Sequence, residues 1–137
     1  MKEKISITIE GIVRDMDESS SITTNAVGEY YQVEDMHIIQ YKEPANKEDK
    51  GSINTVKASP SLVEMVKSGE NSTNMTFDLK KETYSVYETP YGSLNFQVNT
   101  KNINIVEKIN EIIITMEYSL SHNNNHISDN QIKIVVK

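Results

Sequence analysis

The sequence predicts an all-β chain, an antiparallel up-and-down barrel of about eight to ten strands. Three observations predict it. Apolar and polar residues alternate with period two in nearly every segment. Hairpin-length gaps separate those segments, and no helical pattern repeats. Isoleucine supplies much of the apolar content, and β-branched side chains suit a pleated surface. A sandwich would satisfy the same pattern, but a closed barrel also removes exposed edges. The 137 residues suit a single domain, 1–137.

"KISITIEGIV" sets Ile5, Ile7 and Ile9 on one face and Ser6, Thr8 and Glu10 on the other. Ile12 and Val13 break that phase beside Gly11, which suggests a bulge. Asp15 to Ser21 reads as a polar turn. Ile22 to Val33 and Met36 to Glu43 then form a hairpin with Glu34 and Asp35 at its tip. Pro44 to Gly51 reads as a charged, solvated loop, and Ser52 to Ser59 as a weaker strand. Pro60 to Gly69 is locally ambiguous. Ser59 can cap a helix with Pro60 in its first turn and Gly69 at its end, so the local signals favour helix.

Thr73 to Leu79 alternates again. In "YSVYETPYGSLNF", Pro90 lacks the amide that a ladder needs and Gly92 accepts positive φ. Thr-Pro-Tyr-Gly is therefore a tight turn between two strands. Asn102 to Asn110 reads as a short helix or an irregular crossover. Two strands follow, joined by "SHNNNH", whose asparagines tolerate left-handed angles. The expected core is Ile5, Ile7, Ile9, Phe77, Leu94, Phe96, Val98, Ile112, Ile114, Met116, Ile132 and Ile134.

Composition excludes several functions. With no cysteine, there can be no disulfide framework, Cys-zinc site or thiol nucleophile. A net charge of −6 and a single arginine, Arg14, argue against nucleic-acid binding. No stretch reaches the length of a membrane span, and the N-terminus alternates where a signal peptide would be continuously apolar. A cytoplasmic protein is expected. His122 and His126 sit in a turn, with no third ligand and no intervening glutamate, so no metal site is expected. There is no Gly-rich phosphate loop and no nucleophile–base pairing. The expectation is a non-enzyme without a cofactor.

Seven segments occur in an order of their own: "VGEYY", "QYKE", "NTVKAS", "VEMVKSG", "MTF", "YETPYG" and "NTK", spanning Gly28 to Lys101. Together they resemble the DUF1934 family of YwiB-like bacterial proteins. The resemblance implies a lipocalin-like, or calycin, barrel, and it turns Pro60 to Gly69 from helix into a turn and strand. It implies no activity. The chain departs from the family at Lys67, where an arginine commonly precedes Ser-Gly. It also lacks the lipocalin Gly-X-Trp signature, having no tryptophan.

One set of residues stands out as a candidate ligand site: Tyr41 and Glu43, Lys57, Lys67, and Tyr87 with Thr89. If their strand faces point inward, a carboxylate, two ammoniums and two phenols converge inside the barrel. Buried charges must pair or meet a ligand. The expected partner is a small anionic or amphipathic molecule held in the barrel. The competing expectation is a filled barrel that serves as an interaction or scaffold module.

Overall fold

A computed structural model describes residues 3–15, 18–43, 52–69, 72–89 and 92–137; for residues 3, 4, 43 and 87–89 the backbone path alone is described. The expected loop Pro44 to Gly51, with Pro90 and Tyr91 of the tight turn, lies outside these residues.

Period-two patterning produces ten strands: β1 (Glu3–Asp15), β2 (Glu18–Val33), β3 (Met36–Glu43), β4 (Ser52–Ser59), β5 (Leu62–Ser68), β6 (Thr73–Asp78), β7 (Thr83–Thr89), β8 (Gly92–Lys108), β9 (Glu111–His122) and β10 (Asn125–Val136). Each pairs antiparallel with its neighbours in sequence, and β1 pairs with β10, so the sheet is a closed up-and-down barrel. The closing seam is sealed by reciprocal bonds in which the Ser6 and Lys137 amides each donate to the other's carbonyl, at 3.0 and 2.9 Å. No helix among the described residues is long and apolar enough to cross a membrane.

Inward positions carry the core. Ile7, Ile39, Val56, Val63, Phe77, Val98, Ile114, Met116 and Ile134 are completely enclosed, and the Phe77 and Tyr118 rings meet edge to face with centroids 4.7 Å apart. Of the expected core, Ile5, Ile9, Ile112 and Ile132 are half-buried and pack against that cluster. Leu94 departs from expectation at 49% exposed, and Phe96 is half-buried. Both have the inward parity, but they stand at the end of β8 beyond the packed centre.

Several local readings are corrected. β1 runs through Gly11 without a register shift, and a Cβ there would meet nothing within 4 Å. The irregularities lie instead between Thr100 and Asn102 and between His126 and Ser128. The expected polar turn at Asp15 to Ser21 is largely strand, because Ser19, Ser20 and Ser21 pair with Arg14, Val13 and Ile12. Asn102 to Lys108 is the continuation of β8, with Ile103 and Ile105 opposite Met116 and Ile114. Pro60 to Gly69 is turn and strand, as the family resemblance implied. Positive φ occurs where the turns need it, at Glu34 (56°), Gly92 (124°), Asn123 (51°) and Asn124 (64°).

Close approach of two backbones requires a glycine at Gly28. A Cβ there would collide with the Gln40 carbonyl and with the side chains of Ile7 and Tyr41. Phe77→Ala should cost about 3–5 kcal/mol in a urea unfolding experiment, whereas Leu94→Ala should cost under about 1 kcal/mol. Equal losses would place the packed centre elsewhere.

Candidate functional site

The inward face changes character along the barrel axis. On β4 the enclosed positions run Ser52, Asn54, Val56, Ala58, and on β3 they run His37, Ile39, Tyr41. On β5 and β6 the same parity gives Val63, Met65, Lys67 and Thr73, Met75, Phe77. The apolar residues lie together in the middle, and the polar ones gather towards the β3–β4, β5–β6 and β7–β8 connections. Direct pairing links them into one continuous row across seven strands: Gly28, Tyr41, Asn54, Lys67, Thr73, Tyr87 and Leu94.

That row contains three of the six candidates, Tyr41, Lys67 and Tyr87, and the side chain of Thr89 lies outside the described residues. The side chain of Tyr87 is outside the described set. So is that of Glu43, whose backbone pairs with Ser52 one step nearer the barrel end. Lys57 is a correction. It has the opposite parity on β4, is exposed, and lies between Ile38 and Glu64 on the outer surface. "SINTVKAS" offers Ile53 to one face and Val56 with Ala58 to the other, and the larger apolar pair goes inward.

A hollow of about 80 Å³ opens in this row, lined by Asn54, Val56, Met65, Lys67, Thr73 and Met75 with the adjoining Thr55 and Val66. In its wall, the Asn54 Nδ2 amide is buried and donates to no partner. Burying such a group without a partner costs about 1–3 kcal/mol. Separately, a hollow of about 350 Å³ lies against β2–β4, where the exposed Val27, Gln40, Lys42 and Ile53 surround Gly28 and Tyr41.

The opposite end of the barrel holds a polar arrangement that the sequence reading missed. His37, on β3, is buried. Its Nδ1 lies 2.7 Å from the Tyr30 hydroxyl, and its Nε2 lies 2.8 Å from Oε1 of Glu107 on β8. β3 and β8 are opposite one another in the closed order, so this bridge crosses the barrel and closes its floor. With its proton on Nε2, the imidazole donates to Glu107 and accepts from Tyr30, satisfying both nitrogens. The parity of His37 with Ile39 and Tyr41 was the available signal. Burial, and then the nearby Glu107 charge, push the Tyr30 phenol above its ordinary value of 10.0.

The other two histidines go separate ways. His122 Nδ1 meets the Asn95 carbonyl at 2.8 Å, and His126 Nε2 lies 3.2 Å from Asp129. The His126 hydrogen bond foremost, with Lys101 nearby, holds the Asp129 carboxyl below the usual carboxylate range. No group of three acidic, histidine or cysteine side chains among the described residues is arranged to hold a metal ion.

Ten antiparallel strands closed on themselves define an up-and-down β-barrel protein. The domain-of-unknown-function model DUF1934 matches residues 7–134, and the chain belongs to that family. Its fold is similar to the crystal structure of the ywiB protein from Bacillus subtilis. The TM-score is 0.80 at 20% sequence identity, over 97% of this chain and 91% of that one. No curated protein matches the chain.

His37→Leu should lower unfolding stability by about 1–3 kcal/mol, because it strands the Tyr30 hydroxyl beside an unbridged carboxylate. An unchanged urea midpoint would mean that the bridge contributes nothing. The raised phenol gives a second expectation. The folded state holds the Tyr30 proton more tightly than the unfolded chain does. Its stabilisation is therefore present below the ordinary phenol range and is lost as pH rises through it. Ultraviolet titration should show one late-ionising tyrosine that disappears in Tyr30→Phe.

Proposed function

We propose that the polar end of the barrel binds a small molecule through an anionic group, and that the protein works by binding it without chemical transformation. The observation that carries this reading is the unpartnered Asn54 amide in the wall of the hollow it shares with Lys67. An amide donor and an ammonium together suit a carboxylate or phosphate oxygen. Asn54 stands directly opposite Lys67, and Lys67 directly opposite Thr73, so three strands supply the donors at one level.

Size narrows the ligand. A liquid water occupies about 30 Å³, so a hollow of about 80 Å³ suits a headgroup such as a carboxylate and little more. Below it, Val56, Met75 and Phe77 fill the barrel. Those enclosed apolar side chains and the small volume of the hollow favour the small anionic class over the amphipathic one.

The test is thermal melting and native mass spectrometry with acetate, inorganic phosphate and short dicarboxylates. Each would be tried on the wild type, Asn54→Leu, Lys67→Met and Lys57→Met. At a hundredfold excess over its dissociation constant, a bound anion stabilises the fold by about 2.7 kcal/mol. That gain should persist in Lys57→Met, whose lysine faces outward, and vanish in Lys67→Met and Asn54→Leu. Equal responses in all four proteins would refute the site.

A second reading rests on a different observation. The outer hollow against β2–β4 exposes Val27 and Ile53 side by side with polar Gln40 and Lys42. An exposed apolar hollow rimmed by polar groups is the usual form of a protein contact. The anion panel separates the two readings, since contact through the outer face would leave Lys67→Met unaffected.

A further inference from the structure

The seams of the barrel are unequal. Nine of the ten carry between six and thirteen directly paired residues. Among the described residues the β6–β7 seam carries two, Thr73 with Tyr87 and Asn74 with Val86. Below Asn74 the ladder stops, although β6 remains paired to β5 as far as Asp78 and β7 to β8 as far as Thr83. Continued in register, the ladder would have set Met75 against Ser85 and Phe77 against Thr83. In its place two side chains bridge the gap. The Ser85 hydroxyl donates to the Asn74 carbonyl at 3.1 Å, and the Thr83 hydroxyl donates to the Thr76 carbonyl.

Ser85 is fully enclosed and Thr83 nearly so. Both hydroxyls stand where backbone amides would otherwise close the sheet. A side-chain hydroxyl can leave a carbonyl by one χ1 rotation, whereas a ladder bond yields only when the strand itself moves. The parted stretch begins at Met75, and Met75 lines the polar hollow. The least-paired seam among the described residues thus runs past the polar hollow. Loss of two net hydrogen bonds is a small cost compared with unfolding, so local opening here precedes global opening.

We propose that the β6–β7 seam is a lateral gate, latched by the Ser85 and Thr83 hydroxyls, through which water and small polar molecules reach the hollow beside Met75. The gate is independent of any ligand; it requires only that the hollow be reached from the side. Its latch is internal to the wall, so the loops at the barrel end need not move. The outer surface beside it carries Leu79, Tyr84 and Val86, all exposed, leaving the parted backbone without a covering element among the described residues.

Hydrogen peroxide serves as the probe, because it is close to water in size and marks methionine where it arrives. It transfers one oxygen atom to the thioether sulfur and leaves as water. Oxidation would be followed residue by residue by mass spectrometry on the folded protein. Met116, fully enclosed on β9, is the internal control, and Met36 is the half-buried reference. The absence of native cysteine allows Asn74→Cys with Val86→Cys to form a single disulfide across the last ladder pair. Asn74→Ser with Val86→Ser is its uncrosslinked counterpart.

Met75 should oxidise faster than Met116 in the wild type. The disulfide should slow Met75 by about tenfold relative to the serine pair, leaving Met36 unchanged. Ser85→Ala with Thr83→Val should accelerate it by about tenfold, and Ser85→Ala alone by less. The single variant keeps the test available if the double one does not fold. If Met75 oxidises equally in the crosslinked and serine proteins, the hollow is reached through the end of the barrel and the gate is refuted. An unchanged rate in the latch variants refutes it equally. Neither result bears on anion binding, which is read by Lys67→Met and Asn54→Leu.

Discussion

Pairing of β1 with β10 is the constraint on which the rest of the structure depends. Eight residue pairs join the first strand to the last, from Ile7 with Val136 to Arg14 with Asp129. Once that seam closes, no strand can slip by one residue without turning its whole apolar set outward. The inward parity of Ile7 then propagates around the ring through Ala26, and through Gly28 to Tyr41 and Asn54. Lys67 is placed inside and Lys57 outside by the same rule. Closure also explains Gly28. The β2 and β3 backbones approach so closely beneath Ile7 that no side chain fits between them.

Two irregularities relieve the strictness of that rule. β8 and β9 slip between Thr100 and Asn102, and β9 and β10 between His126 and Ser128, both on the long strands opposite the short β3–β7 wall. Bulges bend and twist a strand where a barrel must curve. Near them lie buried polar side chains. Ser128 and Asn130 satisfy one another, and the Thr100 hydroxyl has no partner. The two unpartnered buried side-chain atoms among the described residues thus sit in different settings. One borders a ladder irregularity, and the other faces a hollow.

Architecture was legible in the sequence wherever alternation was strong. Ile5 to Ile9, Phe77 and Ile112 to Met116 announced their inward faces, and Asn123, Asn124 and Gly92 announced their turns. Weak alternation was misleading. "NINIVEKIN" looks helical because Ile103, Ile105 and Ile109 are interrupted by Val106, yet only Ile103 and Ile105 pack against the core and Ile109 is exposed at the hairpin tip. "SPSLVEMVKSG" carries helix signals at both ends, Ser59 with Pro60 and Gly69, but β4 and β6 on either side require a strand there. In the candidate site, face sharing was readable within a strand and not between strands. Lys67 shares the parity of Val63 and Met65, as its strand pattern indicates, whereas the side chain of Glu43 lies outside the described residues. Lys57 was drawn in because nothing local distinguishes the face of Ile53 from that of Val56. The His37 bridge could not be foreseen from spacing, since Glu107 arrives from across the barrel.

The two ends of the barrel handle buried polarity differently, and the difference bears on function. At the floor every polar atom of the bridge has a partner. The imidazole is used on both nitrogens, the phenol donates, and the carboxylate reaches solvent at 59% exposure. A fully satisfied network adds rigidity and leaves no donor for a guest. At the other end Asn54 keeps an unspent amide beside a lysine and a cavity. An evolved core that needed only closure could have filled that position with an apolar side chain at no hydrogen-bonding cost. The same reasoning applies to the β6–β7 seam, where serine and threonine stand in for ladder pairs that nine other seams possess. A chain able to pair thirteen residues between β1 and β2 is not limited to two by its sheet geometry. The polar hollow and the parted seam lie against the same residue, Met75. An unpartnered amide, open space and the least-paired stretch of wall among the described residues therefore coincide at one end of the barrel.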